Sequence, residues 1–114
     1  MHELAVCQAL LGQVEAIAGQ YAARSVSSIT LRLGPLSGVD AELLRAASPV
    51  TFSGTVADGA DLIIEEMPVR VRCNTCNAES VALPNQLLCA VCGDWHTSLA
   101  GGDELLLASV ELIT

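Results

Sequence analysis

The sequence predicts an α+β fold: a small mixed sheet with two helices, interrupted by an inserted cysteine-rich unit. Apolar residues recur at helical spacing near the start of the chain, and strand-like apolar runs lie on both sides of residues 68–100. Residues 68–100 themselves lack helical periodicity and carry four of the five cysteines. We therefore expect an α/β domain formed by residues 1–67 and 101–114, with residues 68–100 inserted before its last strand.

The start of the chain predicts a helix followed by a strand. Apolar residues at steps of three and four form the stripe of an amphipathic helix over about residues 3–23. They are Leu4, Cys7, Leu11, Val14, Ile17 and Tyr21. Residues 25–34 then alternate between apolar and polar side chains, which predicts a strand that ends at Gly34-Pro35.

A second helix and a second strand are expected over residues 36–67. Residues 36–39 are typical of a loop, and Asp40 is a suitable N-cap for a helix that begins at Ala41. Pro49 lacks a backbone N–H and is expected to kink that helix or end it early. Asp58-Gly59 predicts a turn, and residues 61–67 predict the next strand.

The last predicted strand covers Leu105–Ile113, after the break at Gly101-Gly102. We expect it to return to the sheet that residues 29–33 begin. Because the strand is so apolar, we also expect that it is not an edge strand left in water.

The cysteines form two Cys-x-x-Cys knuckles, Cys73–Cys76 and Cys89–Cys92, with twelve residues between them. Two such knuckles can enclose one tetrahedral ion, and zinc is the usual occupant of a closed, structural site of this kind. An odd number of cysteines argues against a disulfide framework. About thirty residues cannot bury enough apolar surface to fold alone, so a metal held by four cysteines would replace the core of this zinc-ribbon-like domain.

The charge balance excludes some classes of partner. The chain has thirteen acidic residues, five arginines and no lysine. Phosphate binding depends on clustered Lys and Arg, so we expect neither nucleic acid nor a membrane surface as a partner. No apolar run approaches the ~20 residues that span a bilayer, and the first residues do not resemble a secretory signal. We expect a cytoplasmic protein whose protein partners carry basic patches.

Other side chains have a functional interpretation and a simpler one. His2 offers an amine, a backbone nitrogen and an imidazole close together, a set that suits the square plane of Ni(II) or Cu(II); alternatively, it is a solvated residue at a frayed terminus. His96 is either a ligand that exchanges with a cysteine or an exposed side chain. Cys7 is either a reactive thiol or a small buried apolar residue, and we expect the latter.

The order of motifs along the whole chain resembles the HypA/HybF family of hydrogenase nickel-insertion accessory proteins. The matching segments are Met1-His2-Glu3-Leu4, Leu31-Arg32-Leu33-Gly34, Leu36-Ser37-Gly38, residues 54–60, Leu62-Ile63-Ile64-Glu65, the two knuckles, Gly102-Asp103-Glu104-Leu105 and Val110-Glu111. Two departures are Ala90, where the family often has proline, and Pro49 within the expected second helix.

The resemblance implies a nickel metallochaperone with two metal sites. Nickel would bind at Met1, His2 and Glu3 of the α/β domain, and structural zinc at Cys73, Cys76, Cys89 and Cys92. The family works with a GTPase and delivers nickel to the large subunit of NiFe hydrogenase, and in some organisms toward urease. Both a monomer and a homodimer agree with the sequence.

Two other functions use the same cysteines. One is a zinc-ribbon interaction module without nickel delivery, and the other is a rubredoxin-like iron electron carrier. The sequence contains no catalytic triad and no phosphate-binding glycine loop, so we do not expect an enzyme. Of these functions, the sequence favours the nickel metallochaperone.

Overall fold

A computed structural model of the protein describes residues 3–114 and contains two helices and six strands in that range. The elements are α1 (Glu3–Gln20), β1 (Ser25–Leu33), α2 (Ala41–Phe52), β2 (Asp61–Glu66), β3 (Val69–Cys73), β4 (Glu79–Ala82), β5 (Thr97–Gly101) and β6 (Leu105–Ile113). The strands form two three-stranded sheets, in the orders β2-β1-β6 and β4-β3-β5. None of the helices in the described range is long and apolar enough to cross a membrane.

The chain divides into two compact units. Unit 1 comprises residues 1–31, 39–65 and 106–114, and unit 2 comprises residues 32–38 and 66–105. The predicted α+β fold class is confirmed. The sequence-based domains, 1–67 with 101–114 and the insert 68–100, remain a prediction about independently folding parts.

The end of α1 has a local physical cause. In the described range the helix begins at Glu3, and this carboxylate in the first turn interacts favourably with the positive end of the helix dipole. It ends at Gln20 rather than at the predicted Ala23, because Ala22 adopts a φ of 51°. The Ala23 N–H then donates to the Ala18 carbonyl at 2.9 Å and the Ala22 N–H to the Gly19 carbonyl at 3.3 Å, the paired bonds of a Schellman cap.

The N-cap of α2 was predicted correctly, whereas the early end at Pro49, one of the two effects expected of this proline, does not occur. Asp40 Oδ1 accepts hydrogen bonds from the Glu42 and Leu43 N–H groups at 2.9 and 3.2 Å. The helix passes through Pro49 and continues to Phe52. Proline cannot bond the carbonyl four residues earlier, that of Arg45, but the Ser48 hydroxyl donates to this carbonyl at 3.1 Å. The carbonyl is satisfied, so the helix continues.

The final strand returns to the first sheet as predicted, next to β1. The Arg24 N–H donates to the Ile113 carbonyl at 2.7 Å and the Gly34 N–H to the Glu104 carbonyl at 2.9 Å, so the two strands are antiparallel. The expectation that β6 is not an edge strand was wrong. Among the described strands it lies at the end of the order β2-β1-β6, and Leu106 is 53% exposed.

Unit 2 is built around β3, which pairs antiparallel with both β4 and β5. Along β3, Val69, Val71 and Cys73 are buried while Arg70 and Arg72 are exposed, the alternation of a sheet with one covered face. Both arginines bond Glu79 on the neighbouring strand, at 2.9 and 3.2 Å. The sheet carries the first cysteine of the metal-ligand pattern at the end of its central strand.

Candidate metal centre

The sulfur atoms of the four knuckle cysteines converge at one place in unit 2. Cys73 ends β3, and Cys89 and Cys92 lie in the segment between β4 and β5. The four Sγ atoms all lie within 4.8 Å of one another. The structure thus brings together the four cysteines that the sequence spacing predicts as metal ligands.

The distances between the sulfurs fit a metal ion and not a disulfide. Cys73 and Cys92 have their Sγ atoms 3.6 Å apart, and so do Cys76 and Cys89. A disulfide needs an S–S distance of about 2.05 Å. Four sulfurs at about 2.3 Å from a tetrahedral zinc ion lie about 3.8 Å from each other. The cluster thus has the ligand type, number and spacing of a closed four-thiolate zinc site.

Backbone N–H groups point at the first sulfur of each knuckle. In both knuckles the two N–H groups that follow this sulfur by two and three residues donate to it. The donors are Thr75 and Cys76 for Cys73, and Val91 and Cys92 for Cys89, each at 3.4 Å. Such donors stabilise a thiolate without adding a charged side chain.

These hydrogen bonds separate the acidities of the cysteines. The backbone N–H groups of Cys92 and Val91 outweigh burial and lower the pKa of Cys89 to about 6. The pKa of Cys73 is lowered in the same way, chiefly by the Cys76 N–H. In the unmetallated cluster, the first cysteine of each knuckle therefore loses its proton more readily than the second.

The second cysteine of each knuckle is shifted in the opposite direction. A backbone hydrogen bond from Asp94 lowers the pKa of Cys92, but the Cys73 sulfur and burial outweigh it and raise that pKa to about 12. For Cys76, a backbone hydrogen bond from Ala78 is likewise outweighed by burial and the Cys89 sulfur, so its pKa is raised. A dication held by the cluster would supply the positive charge that removes the remaining protons.

Asp94 supports both knuckles, and the sequence analysis did not identify it. Its Oδ2 accepts from the Thr75 hydroxyl at 2.5 Å, and its Oδ1 accepts from the His96 N–H at 3.0 Å. These bonds, that of Thr75 first, lower the pKa of the Asp94 carboxyl. The bond from the His96 N–H to the Asp94 side chain spans two residues, and an aspartate is the local sequence signal for such a turn. The Thr75 contact joins residues nineteen apart and has no such signal.

His96 lies outside the group of four clustered cysteines and is exposed, one of its two expected states. Its Nδ1 is 2.6 Å from Asp94 Oδ1. Its ring stacks on Trp95, with centroids 3.8 Å apart. The Asp94 carboxylate thus holds the His96 imidazole in a fixed orientation.

Of the predicted nickel residues, Met1 and His2 lie outside the described range, and Glu3 is the first residue of α1. Glu3 is only 7% exposed, and its Oε2 accepts a hydrogen bond from the Asp40 N–H at 3.1 Å. This carboxylate therefore connects the first turn of α1 to the N-cap of α2 within unit 1.

Cys7 is a buried thiol, as expected. It has no exposed surface, and its Sγ donates to the Leu44 carbonyl at 3.7 Å. Burial raises the pKa of this thiol. It packs among apolar residues of α1 and α2 and is not one of the four clustered cysteines.

Comparison with known proteins gives a match over nearly the whole chain. Residues 1–112 match the family described as "Hydrogenase/urease nickel incorporation, metallochaperone, hypA". The hydrogenase maturation factor HypA of Nitrosospira multiformis is 46% identical over 114 residues, covering 100% of this chain and 99% of the relative. The HypA of Aquifex aeolicus is 37% identical over 112 residues, covering 98% and 97% of the two chains.

Solved structures show the same fold. The solution structure of the Ni metallochaperone HypA from Helicobacter pylori superposes with a TM-score of 0.70 at 23% identity, covering 99% of this chain and 98% of that one. A second solution structure, titled HypA protein, gives a TM-score of 0.75 at 23% identity and covers 99% and 97%. At this identity the structures support the fold alone, and the family rests on the sequence matches.

Proposed function

The chain belongs to the HypA family of nickel-incorporation metallochaperones, and from this we propose that it binds Ni(II) at its N-terminus and delivers it to the large subunit of NiFe hydrogenase. The observation that carries the proposal is the family match over residues 1–112, which includes both the N-terminal segment and the cysteine cluster. In this role the protein is a carrier and not an enzyme.

We propose that zinc occupies the site of Cys73, Cys76, Cys89 and Cys92. Four thiolates in a closed, tetrahedral arrangement favour zinc and leave no open position for chemistry. Such an ion binds with a free energy on the order of 10 kcal/mol, which stabilises the fold of unit 2. Its function here is structural.

The nickel site that we propose uses nitrogen donors from the first three residues. The amine of Met1, the imidazole of His2 and backbone nitrogens form fused chelate rings in a square plane, a geometry that Ni(II) adopts and zinc does not. The Glu3 carboxylate already accepts the Asp40 N–H. This favours the backbone nitrogen of Glu3, rather than its side chain, as the donor to nickel.

With two sites of this kind, one metal ion stabilises the fold and the other can be transferred to a partner. A closed cage of four thiolates holds its ion tightly, whereas a site at the chain terminus can pass its ion to a partner. The partners that we propose are a GTPase that takes part in nickel insertion and the hydrogenase large subunit, with urease maturation as a related role. The formal net charge of -8 favours basic patches on these partner surfaces.

The test is a nickel titration of untagged, zinc-loaded protein, with both metals counted by elemental analysis. We expect one nickel per chain in the unaltered protein and none in the His2→Ala variant, with zinc unchanged in both. His96→Ala is the matched control, because it removes the only other histidine of the chain. It should keep both metals.

Other outcomes would contradict the proposal. Equal nickel in the protein and the His2→Ala variant would exclude the N-terminal site. A red, redox-active sample with iron in place of zinc would indicate the electron carrier instead. The delivery step needs a second measurement, transfer of nickel from the loaded protein to a purified, nickel-free large subunit, which His2→Ala should abolish.

A further inference from the structure

The sheet β2-β1-β6 has two edges that differ in charge. The β2 edge carries three acidic residues in six, Asp61, Glu65 and Glu66. The β6 edge carries one, Glu111, in nine residues, and has neither proline nor lysine. Charged residues and proline are the usual protection of an edge strand against pairing with another chain. By this criterion β2 is protected and β6 is open to pairing.

The β6 edge is also apolar and exposed. Leu106 is 53% exposed and Ile113 is 49% exposed. A nine-residue strand is about 30 Å long and presents its outer row of N–H and C=O groups over that length. The composition of β6 is therefore typical of a strand that pairs with a neighbour on both sides, although no described strand pairs with its outer side.

A groove lies beside β6 on the side of α1. It has a volume of about 430 Å³ and is lined by residues of unit 1. Ile17 lies in the last turn of α1 and Tyr21 directly follows that helix, while Leu107, Val110 and Leu112 come from β6. Tyr21 is 65% exposed, although the residues that line the groove beside it are mostly apolar. The groove offers apolar contacts to the side chains of an added strand.

We propose that β6 is a docking edge that takes an extended, apolar segment of another protein as a fourth strand, with Lys or Arg flanking that segment. Main-chain hydrogen bonds would supply affinity, and the groove would select apolar side chains at alternate positions. The flanking positive charge follows from the acidic chain, with its net charge of -8. A second copy of this chain carries the same negative charge and fits this edge less well.

The test uses the zinc-loaded full chain and three labelled peptides. The first alternates valine and threonine and has two lysines at each end; the second has glutamates at the ends; the third is the lysine peptide with alternate amides N-methylated, which blocks strand pairing. Fluorescence anisotropy measures binding, and hydrogen exchange of the β6 amides locates it. Leu106→Lys adds a charge to this edge, and Ile63→Lys, at a residue 46% exposed on β2, is the matched control.

We expect the lysine peptide to bind and to protect β6 amides, with the glutamate and N-methylated peptides at least tenfold weaker. Leu106→Lys should weaken binding at least tenfold, and Ile63→Lys should leave it unchanged. Failure of the lysine peptide to bind, equal binding of the three peptides, or equal loss in both variants would overturn the proposal. So would a dimer of the unaltered protein that Leu106→Lys converts to a monomer, because the occupant would then be a second copy.

Discussion

The two units of this chain are stabilised by different means. Unit 1 has two helices and a continuous apolar core. The buried core residues are Cys7, Leu10, Val14, Ala18, Val26, Ile29, Leu31, Leu44, Phe52 and Ala57. Unit 2 has no helix in the described range, and its buried apolar side chains are few: Leu33, Val69 and Val71, beside Cys73 and Cys89.

This difference shows what a metal site adds to a small fold. In unit 1, burial of apolar side chains at roughly 25 cal/mol per Å² offsets the entropy of ordering the chain. In unit 2, two of the five buried apolar side chains are cysteines of the cluster, so the metal site takes the place of an apolar core. The two units should therefore respond to different perturbations.

The largest expected effect is the loss of the cysteine cage. Cys89→Ser, or removal of the metal by a strong chelator, takes away binding free energy on the order of 10 kcal/mol. We expect unit 2 to unfold while unit 1 keeps its structure. The readouts are independent, because both helices lie in unit 1 and the only tryptophan, Trp95, lies in unit 2. Circular dichroism at the helical band should persist while the Trp95 fluorescence changes.

Cys7→Ala is the control for this experiment, since it removes a cysteine from unit 1 instead. It should leave the metal content and the Trp95 signal unchanged. Simultaneous loss of both signals in Cys89→Ser would show that the two units unfold together, and the comparison between them would fail.

A smaller effect is expected from a substitution in the core of unit 1, which should weaken the helical signal and leave the metal site of unit 2 intact. Leu44 has no exposed surface, and Leu44→Ala should destabilise unit 1 by about 2–5 kcal/mol through lost burial and the cavity left behind. Leu43→Ala, at the neighbouring residue that is 51% exposed, should cost less than about 0.5 kcal/mol. Urea unfolding followed by circular dichroism measures both. Loss of the metal and of the native Trp95 signal at the same urea concentration as the helical signal of Leu44→Ala would contradict the separation.

The sequence predicted features that depend on local chemistry. The Asp40 cap and the cysteine set follow from residue type and short spacing; the cap is present, and the four cysteines lie together. Contacts between distant residues were not predicted. The Ser48 bond that lets α2 pass through Pro49, and the Asp94–Thr75 bond between the knuckles, depend on the folded geometry.

The error about β6 has a more general cause. The apolar content of a strand indicates how much of it can be buried, but it does not show whether the rest of the chain or a partner protein buries it. In this chain, β1 pairs with one edge of β6, and Leu106 on that strand stays half exposed. An apolar edge strand is therefore a reason to look for a partner and not only a reason to place the strand at the centre of a sheet.

The smallest predicted effect concerns pH and the N–H groups around Cys89. The pKa of Cys89 is lowered from its ordinary value of 9.0 to about 6, so between these pH values the unfolded thiol binds a proton that the folded one does not. In the metal-free cluster, lowering the pH through this window therefore removes the stability that the Cys89 thiolate contributes to the fold of unit 2, and below about 6 that contribution is gone. Metal release should follow the same direction.

A matched pair of proline variants tests the cause of this shift. Val91→Pro removes an N–H that donates to Cys89 Sγ at 3.4 Å, whereas Ala90→Pro removes one that donates to the Ser80 hydroxyl at 3.0 Å. We expect the pH of half-release of the metal to rise by roughly half a unit or more in Val91→Pro, and to change less in Ala90→Pro. A chromogenic chelator measures the release. Equal shifts in the two variants would mean that proline acts by distorting the knuckle, and the low pKa of Cys89 would then have another cause than the hydrogen bonds at its sulfur.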